Sequence, residues 1–522
     1  MTRVLNSYLS GQWCAGSGEG SPLFDPTTEE VLAKAETAGL DFRGALEFAR
    51  DKGGAALREL NFGQRGALLS AMAKSLHAHR DELLELSTRS GGNTRGDAKF
   101  DIDGATGTLA YYGKLARQLG DATFFLEEGV EQLAANPRYI GCHVKVPRHG
   151  VAVHINAFNF PAWGFGEKAA LALLAGMPVV TKPATSTAIV TERMIQILVD
   201  DQVLPDGALS LVAGRPGDLL DHLGPQDVLA FTGSSDTGTW IRTRENLVRN
   251  GVRINVEADS LNAAVLGPDI DRDAAAYDLF LRETARDMTQ KAGQKCTAIR
   301  RIFVPNDLLE GVRDDLVEEI KRVKVGNPAQ QGVRMGPLAT ASQLKDVREG
   351  IARLAQRARF IHGDGGRGDL EGVDDGKGYF VGPTLLEAEG IHDDCVVHAL
   401  EVFGPVQTLI PYSGTASEAV HGVSLGQGGL VASIYTDDKR FASEVALGLA
   451  PYNGRLHIGS SKVADHSPGP GTVLPQMIHG GPGRAGGGEE LGGLRGLDFY
   501  LQRTAIQGLK TLVEKMTGTG TH

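Results

Sequence analysis

Cysteine is scarce in this chain, with four residues among 522: Cys14, Cys142, Cys296 and Cys395. None of them forms the short paired spacing of a disulfide framework or a zinc cluster, so we expect no metal site. Cysteines that are few and unpaired are typical of proteins from a reducing compartment. The sequence therefore predicts a cytoplasmic protein.

Long hydrophobic runs and an excess of basic residues are also missing. The first ten residues lack the continuous apolar stretch of a signal peptide, and the longest weakly polar run, 169–181, is too short to span a bilayer. The net charge is −11, from 53 Lys and Arg against 64 Asp and Glu. Because a nucleic-acid backbone is bound by a concentrated basic face, we expect no nucleic-acid partner. Because a long apolar run is missing, we expect no membrane association.

The chain does carry a regular alternation of strand and helix patterns after a helical opening at 41–120. Strand patterns at 151–157, 178–181, 208–213, 228–232 and 252–257 alternate with helical patterns at 161–175, 186–200 and 235–248. A second series follows a strand at 263–266, with a helix at 273–291, a strand at 298–304, helices at 308–322 and 340–358, and a strand at 430–435. This alternation predicts two α/β domains built on parallel sheets. Alternating apolar residues at 140–146 predict an extended strand outside them.

Cys296 is the candidate nucleophile, because the sequence GQKC places it in a turn between a helix end and an apolar strand. Lys291, Lys295, Arg300 and Arg301 flank it, and such a cationic setting lowers the pKa of a thiol. On this stretch alone, a small buried hydrophobic residue is the competing interpretation.

Three strand ends offer further groups. Asn159, in NFP, lies between a strand and a helix, where its amide can donate to an oxyanion or simply cap the helix. Lys182, in TKPA, lies beside a helix start, where cofactor hydroxyls or phosphates can bind. The sequence FTGS at 231–234 joins a strand to a helix through a glycine turn whose backbone N–H groups can face a pyrophosphate, although a plain turn fits equally well.

Two carboxylates complete the set of candidates. Glu257 closes the strand at 252–257, and open α/β sheets bind ligands beyond the carboxyl ends of their strands. Glu401 lies in EVFGPV.

Two formal motif matches indicate other functions and are set aside. GPGRAG at 481–486 fits a dinucleotide-binding pattern, but no parallel strand leads into it and no helix opens from it, so we expect a loop. GVSLG at 422–426 fits a hydrolase nucleophile elbow, with Asp465 and His466 downstream. The residues before Ser424 have the pattern of a helix end, whereas an elbow needs a strand.

Taken in order, NFP, TKPA, FTGS, Glu257, GQKC and EVFGPV resemble the aldehyde dehydrogenase superfamily over nearly the whole chain. The resemblance implies an α/β fold of three parts. These are a doubly wound Rossmann-like cofactor domain (1–124 and 149–262), an α/β catalytic domain (263–484) and a small β oligomerisation arm (125–148 and 485–508), followed by a tail at 509–522. It also implies a homodimer.

The resemblance further implies a catalytic set. Cys296 would attack the aldehyde, and Asn159 and the Cys296 backbone N–H would hold the oxyanion. Glu257 would activate the water that hydrolyses the thioester, and Lys168 with Glu167 would relay protons. The chemistry calls for these groups, because the thiohemiacetal carries a negative oxygen and the thioester needs a general base.

The expected cofactor is NADP, with NAD possible. By the resemblance, Lys182 would bind the adenosine ribose, Gly233 and Ser234 the pyrophosphate, and Glu401 and Phe403 the nicotinamide ribose. The remaining cofactor residues would be Phe158, Gly214, Phe231, Thr185 and Ser186. Many NAD-preferring relatives carry glutamate at the position of Thr185, which repels a 2′-phosphate. The short hydroxyls of Thr185 and Ser186 can instead donate to the phosphate beside the charge of Lys182, unless Thr185 serves only as a helix cap.

The sequence departs from the common family pattern in two places. After Glu257 it reads ADSLN where LGGK is common, and the glycine-rich stretch 478–496 resembles the semialdehyde dehydrogenases of aerobic, CoA-dependent phenylacetate and benzoate breakdown. The expected reaction is therefore oxidation of a CoA-linked semialdehyde to a free acid in aromatic degradation. The alternatives are an NAD-dependent dehydrogenase of a free aliphatic semialdehyde, a GxSxG hydrolase, and a binding or structural protein that keeps the fold without turnover.

Overall fold

The computed structural model describes residues 2–519. Its N-terminal part consists of short strands followed by long helices. They are β1 Val4–Leu5, β2 Ser7–Leu9, β3 Gln12–Cys14, β4 Ser21–Phe24, β5 Val31–Ala35, α1 Phe42–Phe48, α2 Ala55–Glu59, α3 Phe62–Ala78, α4 Arg80–Gly91 and α5 Arg95–Ala116.

Two long strands and an alternating region follow. They are β6 Phe125–Gln132, β7 Tyr139–Pro147, β8 Ala152–Ile155, α6 Trp163–Ala175, β9 Val179–Lys182, α7 Ala188–Asp200, β10 Leu209–Leu211, β11 Val228–Thr232, α8 Ser235–Arg242, α9 Glu245–Arg249 and β12 Arg253–Glu257.

The second half of the chain repeats the alternation and ends in a long strand and a helix. Its elements are β13 Ala263–Leu266, α10 Ala275–Thr289, β14 Arg301–Pro305, α11 Leu309–Lys321, α12 Ala341–Leu354, β15 Ala358–His362, β16 Thr384–Ala388, β17 Val406–Tyr412, α13 Ala416–Ser424, β18 Gly429–Tyr435, α14 Lys439–Leu449, β19 Asn453–Gly459, β20 Ile478–Gly480, β21 Glu489–Leu491, β22 Leu501–Leu509 and α15 Lys510–Thr517.

Two seven-stranded sheets organise the molecule. The first has the order β12-β11-β8-β9-β10-β2-β3, in which the first five strands are parallel and β2 and β3 are antiparallel additions. The second has the order β15-β16-β17-β14-β13-β18-β19 and is parallel except for β15. Apolar residues on both faces of these strands are covered by helices, as buried parallel sheets require. The predicted α/β class is confirmed.

Some predicted boundaries are wrong, and local hydrogen bonds explain them. The helix expected at 235–248 breaks after α8, because Arg244 is extended (ψ 124°) and a new helix begins at Glu245. The strand expected at 298–304 begins only at Arg301, since side chains hold the backbone before it. The amide of Asn262 donates to the carbonyls of Cys296 and Ala298, and Asp287 accepts from the N–H of Ile299.

The expected arm corresponds to a separate three-stranded sheet of order β22-β7-β6. Helix α15 packs on it through Val513, which joins a small apolar cluster with Ile140, Cys142 and Val144. Within residues 485–500, which the sequence assigned to the arm, β21 and a 3-10 turn contact α6, and the strand that pairs with β7 begins at Leu501. No helix within residues 2–519 combines the length and apolar character needed to cross a membrane. The last three residues of the expected tail lie outside the described range.

Candidate active site

The carboxyl ends of the parallel strands in the first sheet bring the motif residues to one edge. Ile155, before the NFP turn, lies opposite Lys182 at the end of β9, and Thr232 at the end of β11 lies opposite Glu257 at the end of β12. Gly214 lies three residues beyond the end of β10. A pocket opens beside this edge, and its lining includes Asn159, Glu167, Lys168, Glu257 and Cys296.

A strained turn delivers Cys296 into this pocket. After α10 ends at Thr289, Lys291, Ala292 and Gly293 all adopt left-handed conformations, with φ of 54°, 51° and 68°. A non-glycine residue in this region costs about 1 kcal/mol or more, so packing must hold the turn. Gly293 is required there, because a Cβ would lie 2.1 Å from the carbonyl oxygen of Gly404.

The predicted cationic setting of the thiol is wrong. Lys295 Nζ lies 2.6 Å from Asp287 Oδ1, and Lys291 Nζ donates to Asn93 at 2.9 Å. Arg300 and Arg301 donate mainly to backbone carbonyls. Residues adjacent in sequence therefore direct their charges away from Cys296. Burial, and after it the charge of Glu257, raises the pKa of the Cys296 thiol well above its ordinary value.

The thiol instead meets a histidine and a carboxylate. His479 Nε2 lies 3.9 Å from Cys296 Sγ and 3.1 Å from Glu257 Oε2, and the donor atoms of all three residues lie within 4.8 Å of one another. Burial opposes the charge of Glu257, but His479 outweighs it and lowers the pKa of this carboxyl to about 2. Glu257 is therefore ionised at neutral pH.

His479 was missed from the sequence. It lies on β20, opposite Glu490 on β21, and it lines the pocket from a stretch whose sequence shows only a high glycine content. A histidine directly before paired glycines, with two glutamates ten residues later, was the available signal. It carries little information without the strand register.

Asn159 is buried and is not a helix cap. Its Nδ2 donates to the carbonyl of Gln294 at 3.0 Å, two residues before the nucleophile. The N-terminus of α6 is capped by Asp101, which accepts from the backbone N–H groups of Ala162 and Trp163 at 3.3 and 2.7 Å. The amide of Asn159 carries a second N–H, so it can serve another acceptor in the pocket.

Lys168 and Glu167 lie in a buried ionic cluster. Lys168 Nζ is 3.2 Å from Glu167 Oε1 and 3.1 Å from Glu490 Oε2. Burial, followed in effect by the charges of Glu490 and Glu257, raises the pKa of Glu167 to about 7, against the opposing charge of Lys168. Glu167 can therefore gain or lose a proton near neutral pH.

Aromatic rings and a carboxylate gather at the junction of the two sheets. The rings of Phe158 and Phe403 are edge to face at 5.9 Å, and the guanidinium of Arg300 lies over Phe403 at 5.3 Å. Glu401 Oε2 accepts from Ser260 N at 3.1 Å, while its buried Oε1 has no hydrogen-bond partner among residues 2–519. Burial raises the pKa of Glu401 to about 7.

The other predicted cofactor residues lie on or directly after β9 and β11, the two strands that flank β8. Burial lowers the pKa of Lys182 to about 8. Thr185 and Ser186 are half-buried in a 3-10 turn, and α7 begins without a side-chain cap, so the capping role for Thr185 is wrong. Phe231 is buried in β11, where its ring would contact a Cβ added at Gly233.

The N–H groups expected to face a pyrophosphate at α8 are partly engaged. Ser234 caps this helix through the N–H of Thr237, and the N–H of Ser235 donates to Asp259 at 3.1 Å. Asp259 belongs to the ADSLN stretch that departs from the family pattern, so this chain places its own carboxylate at this helix end.

The two motifs set aside do not form sites of the kinds they suggested. Residues 483–485 form a single 3-10 turn, and the preceding strand β20 pairs antiparallel with β21. Ser424 is the last residue of helix α13, as the sequence predicted.

The fold and the pocket define a cofactor-dependent oxidoreductase architecture, and comparisons with known proteins agree. The profile of the aldehyde dehydrogenase family matches residues 13–506. The chain belongs to the aldehyde dehydrogenase family, and the prediction of an NAD(P)-dependent aldehyde dehydrogenase is confirmed.

Individual proteins of known activity or structure are similar to this chain over most of its length. The chain is 45% identical over 480 residues to 3,4-dehydroadipyl-CoA semialdehyde dehydrogenase of Aromatoleum evansii, covering 92% of this chain and 93% of that protein. It superimposes with a TM-score of 0.83 on an apo single-residue variant of betaine aldehyde dehydrogenase from Staphylococcus aureus, at 25% identity, covering 97% of this chain and 95% of that one. A variant of the same enzyme in complex with NAD+ gives a TM-score of 0.83 at 25% identity, covering 97% and 96% of the two chains.

Proposed function

We propose that this enzyme oxidises a semialdehyde to the free carboxylic acid, with NADP as the preferred cofactor. The proposed substrate is 3,4-dehydroadipyl-CoA semialdehyde, in the aerobic degradation of benzoate. The observation that carries the reaction type is the convergence of Cys296, Glu257 and Asn159 on one pocket. The 45% identity to the Aromatoleum evansii enzyme supports the substrate class.

The first step is attack by Cys296 Sγ on the aldehyde carbon. The carbonyl oxygen becomes an alkoxide, and the free N–H of the Asn159 amide and the backbone N–H of Cys296 donate to it. Such preorganised donors stabilise charge that develops only during the reaction. Because the pKa of the thiol is raised, the thiol must lose its proton within the site as it attacks, and Glu257 or Glu167, which both line the pocket, can accept that proton.

Oxidation of the thiohemiacetal requires the loss of a hydride, for which a bound nicotinamide cofactor would supply the acceptor. The remaining thioester is hydrolysed. Glu257 removes a proton from water, the hydroxyl adds to the acyl carbon, and the C–S bond breaks to release the acid and the Cys296 thiolate. Lys168 and Glu167 lie behind Glu257, where the near-neutral pKa of Glu167 suits it to pass the proton on.

The residues at the junction of the two sheets fit a nicotinamide cofactor. Glu401 Oε1 is buried and lies 3.7 Å from Arg300, but it has no hydrogen-bond partner within the described chain, so it can accept from ribose hydroxyls; Phe158 and Phe403 offer apolar walls. Lys182, Gly214, Phe231, Gly233 and Ser234 line the strand edge where the adenosine and pyrophosphate would bind.

Preference for NADP rests on Thr185 and Ser186. They follow Lys182 on a half-buried turn, and Thr185 is not engaged as a cap. Two hydroxyl donors and one ammonium suit a 2′-phosphate, whereas no carboxylate occupies these two positions to repel it.

A long substrate is supported by the surface outside the pocket. An open groove adjoins the catalytic pocket and shares Phe100, Trp163 and Val473 with it. Lys99 and Tyr111 also line the groove, and a lysine there could meet a phosphate of a CoA-linked chain.

We also propose a cytoplasmic homodimer that forms through the arm. The edge strands β6 and β22 leave backbone groups free for pairing, and an unpaired strand edge readily pairs with another chain. Leu133, Tyr139, Leu512 and Met516 are exposed apolar side chains on or beside this sheet. Sedimentation of wild type and of a chain shortened after residue 500 would test it, with a dimer expected only for the full chain.

A substrate and cofactor panel tests the proposed reaction. Reduction of NADP and NAD is followed at 340 nm with CoA-linked and free semialdehydes, and the product is identified by mass spectrometry with and without added coenzyme A. We expect the highest kcat/KM with a CoA-linked semialdehyde and NADP, and a free carboxylate in every case. A higher kcat/KM for a free aliphatic semialdehyde with NAD would favour the alternative dehydrogenase, and formation of an acyl-CoA would contradict the hydrolytic step.

A further inference from the structure

His479 contacts both of the groups that carry the proposed chemistry. Its Nε2 is 3.1 Å from Glu257 Oε2 and 3.9 Å from Cys296 Sγ, and the ring is 5% exposed. A contact with Glu257 alone would indicate that the histidine only stabilises the fold around this carboxylate. Contact with base and nucleophile together places the imidazole at the centre of the reacting groups.

The position of His479 is fixed by close backbone packing. A Cβ at Gly480 would lie 2.0 Å from the carbonyl oxygen of Gly488, and one at Gly454 would lie 1.8 Å from that of Gly480. Only glycines permit these approaches, so β20 packs directly against the backbone of its neighbours. The facing strand residue, Glu490, is itself tied to Lys168.

The ionised state of Glu257 depends on this histidine, because the other carboxylate oxygen accepts no hydrogen bond. Oε1 of Glu257 is buried without a hydrogen-bond partner within residues 2–519, and the carboxylate is 2% exposed. A buried ionised carboxylate is costly unless it is paired and hydrogen-bonded. Removal of the histidine would leave Glu257 to take up a proton, and a protonated carboxyl cannot act as a base.

We propose that His479 is a positioning residue for hydrolysis of the thioester: its Nε2–H holds Glu257 ionised and directed at the acyl group on Cys296. This inference rests on the proposed function. During hydrolysis the water proton goes to Glu257, the hydroxyl bonds to the acyl carbon, the C–S electrons return to sulfur, and His479 keeps its proton throughout.

The electrostatic surroundings of the ring agree with this role. Burial opposes its charge, but Glu257 and, more weakly, Glu167 on α6 raise the pKa of His479, while Arg455 on β19 acts against them. The thiol of Cys296 faces the ring from the loop before β14, and Glu490 faces it from β21. The carboxylates outweigh burial and the arginine, so the pKa of His479 lies above its ordinary value, which favours the protonated ring that donates to Glu257.

The test compares His479→Gln and His479→Ala with His457→Gln. His457 forms the matched control, since its Nε2 lies 3.4 Å from the buried Glu283 in a similar pair that does not line the pocket. Burst amplitude and steady-state rate are measured from pH 6 to 9 with a simple aldehyde that the wild type turns over. We expect both His479 variants to keep a full burst but to lose steady-state rate as pH falls, about tenfold for each pH unit below the raised pKa of Glu257. The control should follow the wild type.

Two further measurements separate positioning from support of the fold. Millimolar imidazole should restore the low-pH rate of His479→Ala, and in a Glu257→Gln background His479→Ala should cause no further loss, because both act on one step. A loss that is equal at every pH, an absence of rescue, or full additivity with Glu257→Gln would each overturn the proposal. The assay uses any aldehyde that the enzyme oxidises. Its result therefore tests the role of His479 even if CoA-linked semialdehydes prove not to be substrates.

Discussion

Replacement of Glu257 by glutamine should separate the two halves of the proposed reaction. Glutamine has the same shape, and its carbonyl oxygen can still accept from His479 Nε2, which lies 3.1 Å from the native carboxylate. The change therefore removes the base while leaving the pocket intact. Attack by Cys296 and hydride transfer should continue, and the enzyme should stop at the thioester.

The magnitude follows from what remains in the pocket. A general base contributes about 10²–10⁴-fold, so we expect the steady-state rate to fall about a hundred- to a thousandfold, equivalent to about 3–4 kcal/mol. Glu167 also lines the pocket and has a pKa of about 7, so it can act as a weak substitute. Because only its ionised form accepts a proton, the residual rate should fall as pH drops below about 7.

Rapid mixing at 340 nm provides the assay. Glu257→Gln should show a burst of one reduced cofactor per active subunit, followed by slow turnover, and mass spectrometry should find the acyl group on Cys296. Glu283→Gln, a buried carboxylate in the second His–Glu pair, is the control and should turn over normally if it folds. A steady-state rate within threefold of wild type, or no burst at all, would refute the assignment of Glu257 as the base of hydrolysis.

Three further changes test other parts of the site. Cys296→Ala should abolish turnover and leave cofactor binding intact, as measured by fluorescence quenching, and any retained dehydrogenase activity would contradict its role. Thr185→Glu should shift the ratio of kcat/KM from NADP toward NAD by about ten- to a hundredfold, because a carboxylate would face the 2′-phosphate. A wild type that favours NAD would show that interpretation to be wrong. Gly293→Ala should lower the free energy of unfolding by about 1–3 kcal/mol, since its Cβ would lie 2.1 Å from Gly404 O at a positive φ. In Gly107→Ala, where nothing lies within 4 Å, stability should not fall, and equal losses in the two variants would contradict the steric argument.

The sequence by itself determined the class of fold and the order of the motifs. Apolar residues repeat along the strands and helices with periods that depend only on local geometry, so β11 and β13 were predicted to the residue. Cys296, Glu257 and Asn159 could also be singled out as candidates from the sequence, because each lies in a short pattern at a strand or helix end. The domain boundaries and the roles of these residues remain predictions.

Only the tertiary structure decided what surrounds the thiol. Four basic residues adjacent to Cys296 in sequence are paired with Asp287, Asn93 and backbone carbonyls, while His479, 183 residues away, contacts the sulfur. Likewise Asp101, which is distant from α6 in the chain, caps this helix, so Asn159 does not serve as its cap. Side-chain direction and strand register arise from packing between segments that are distant in the chain. A local residue pattern does not indicate which distant segment will pack against it.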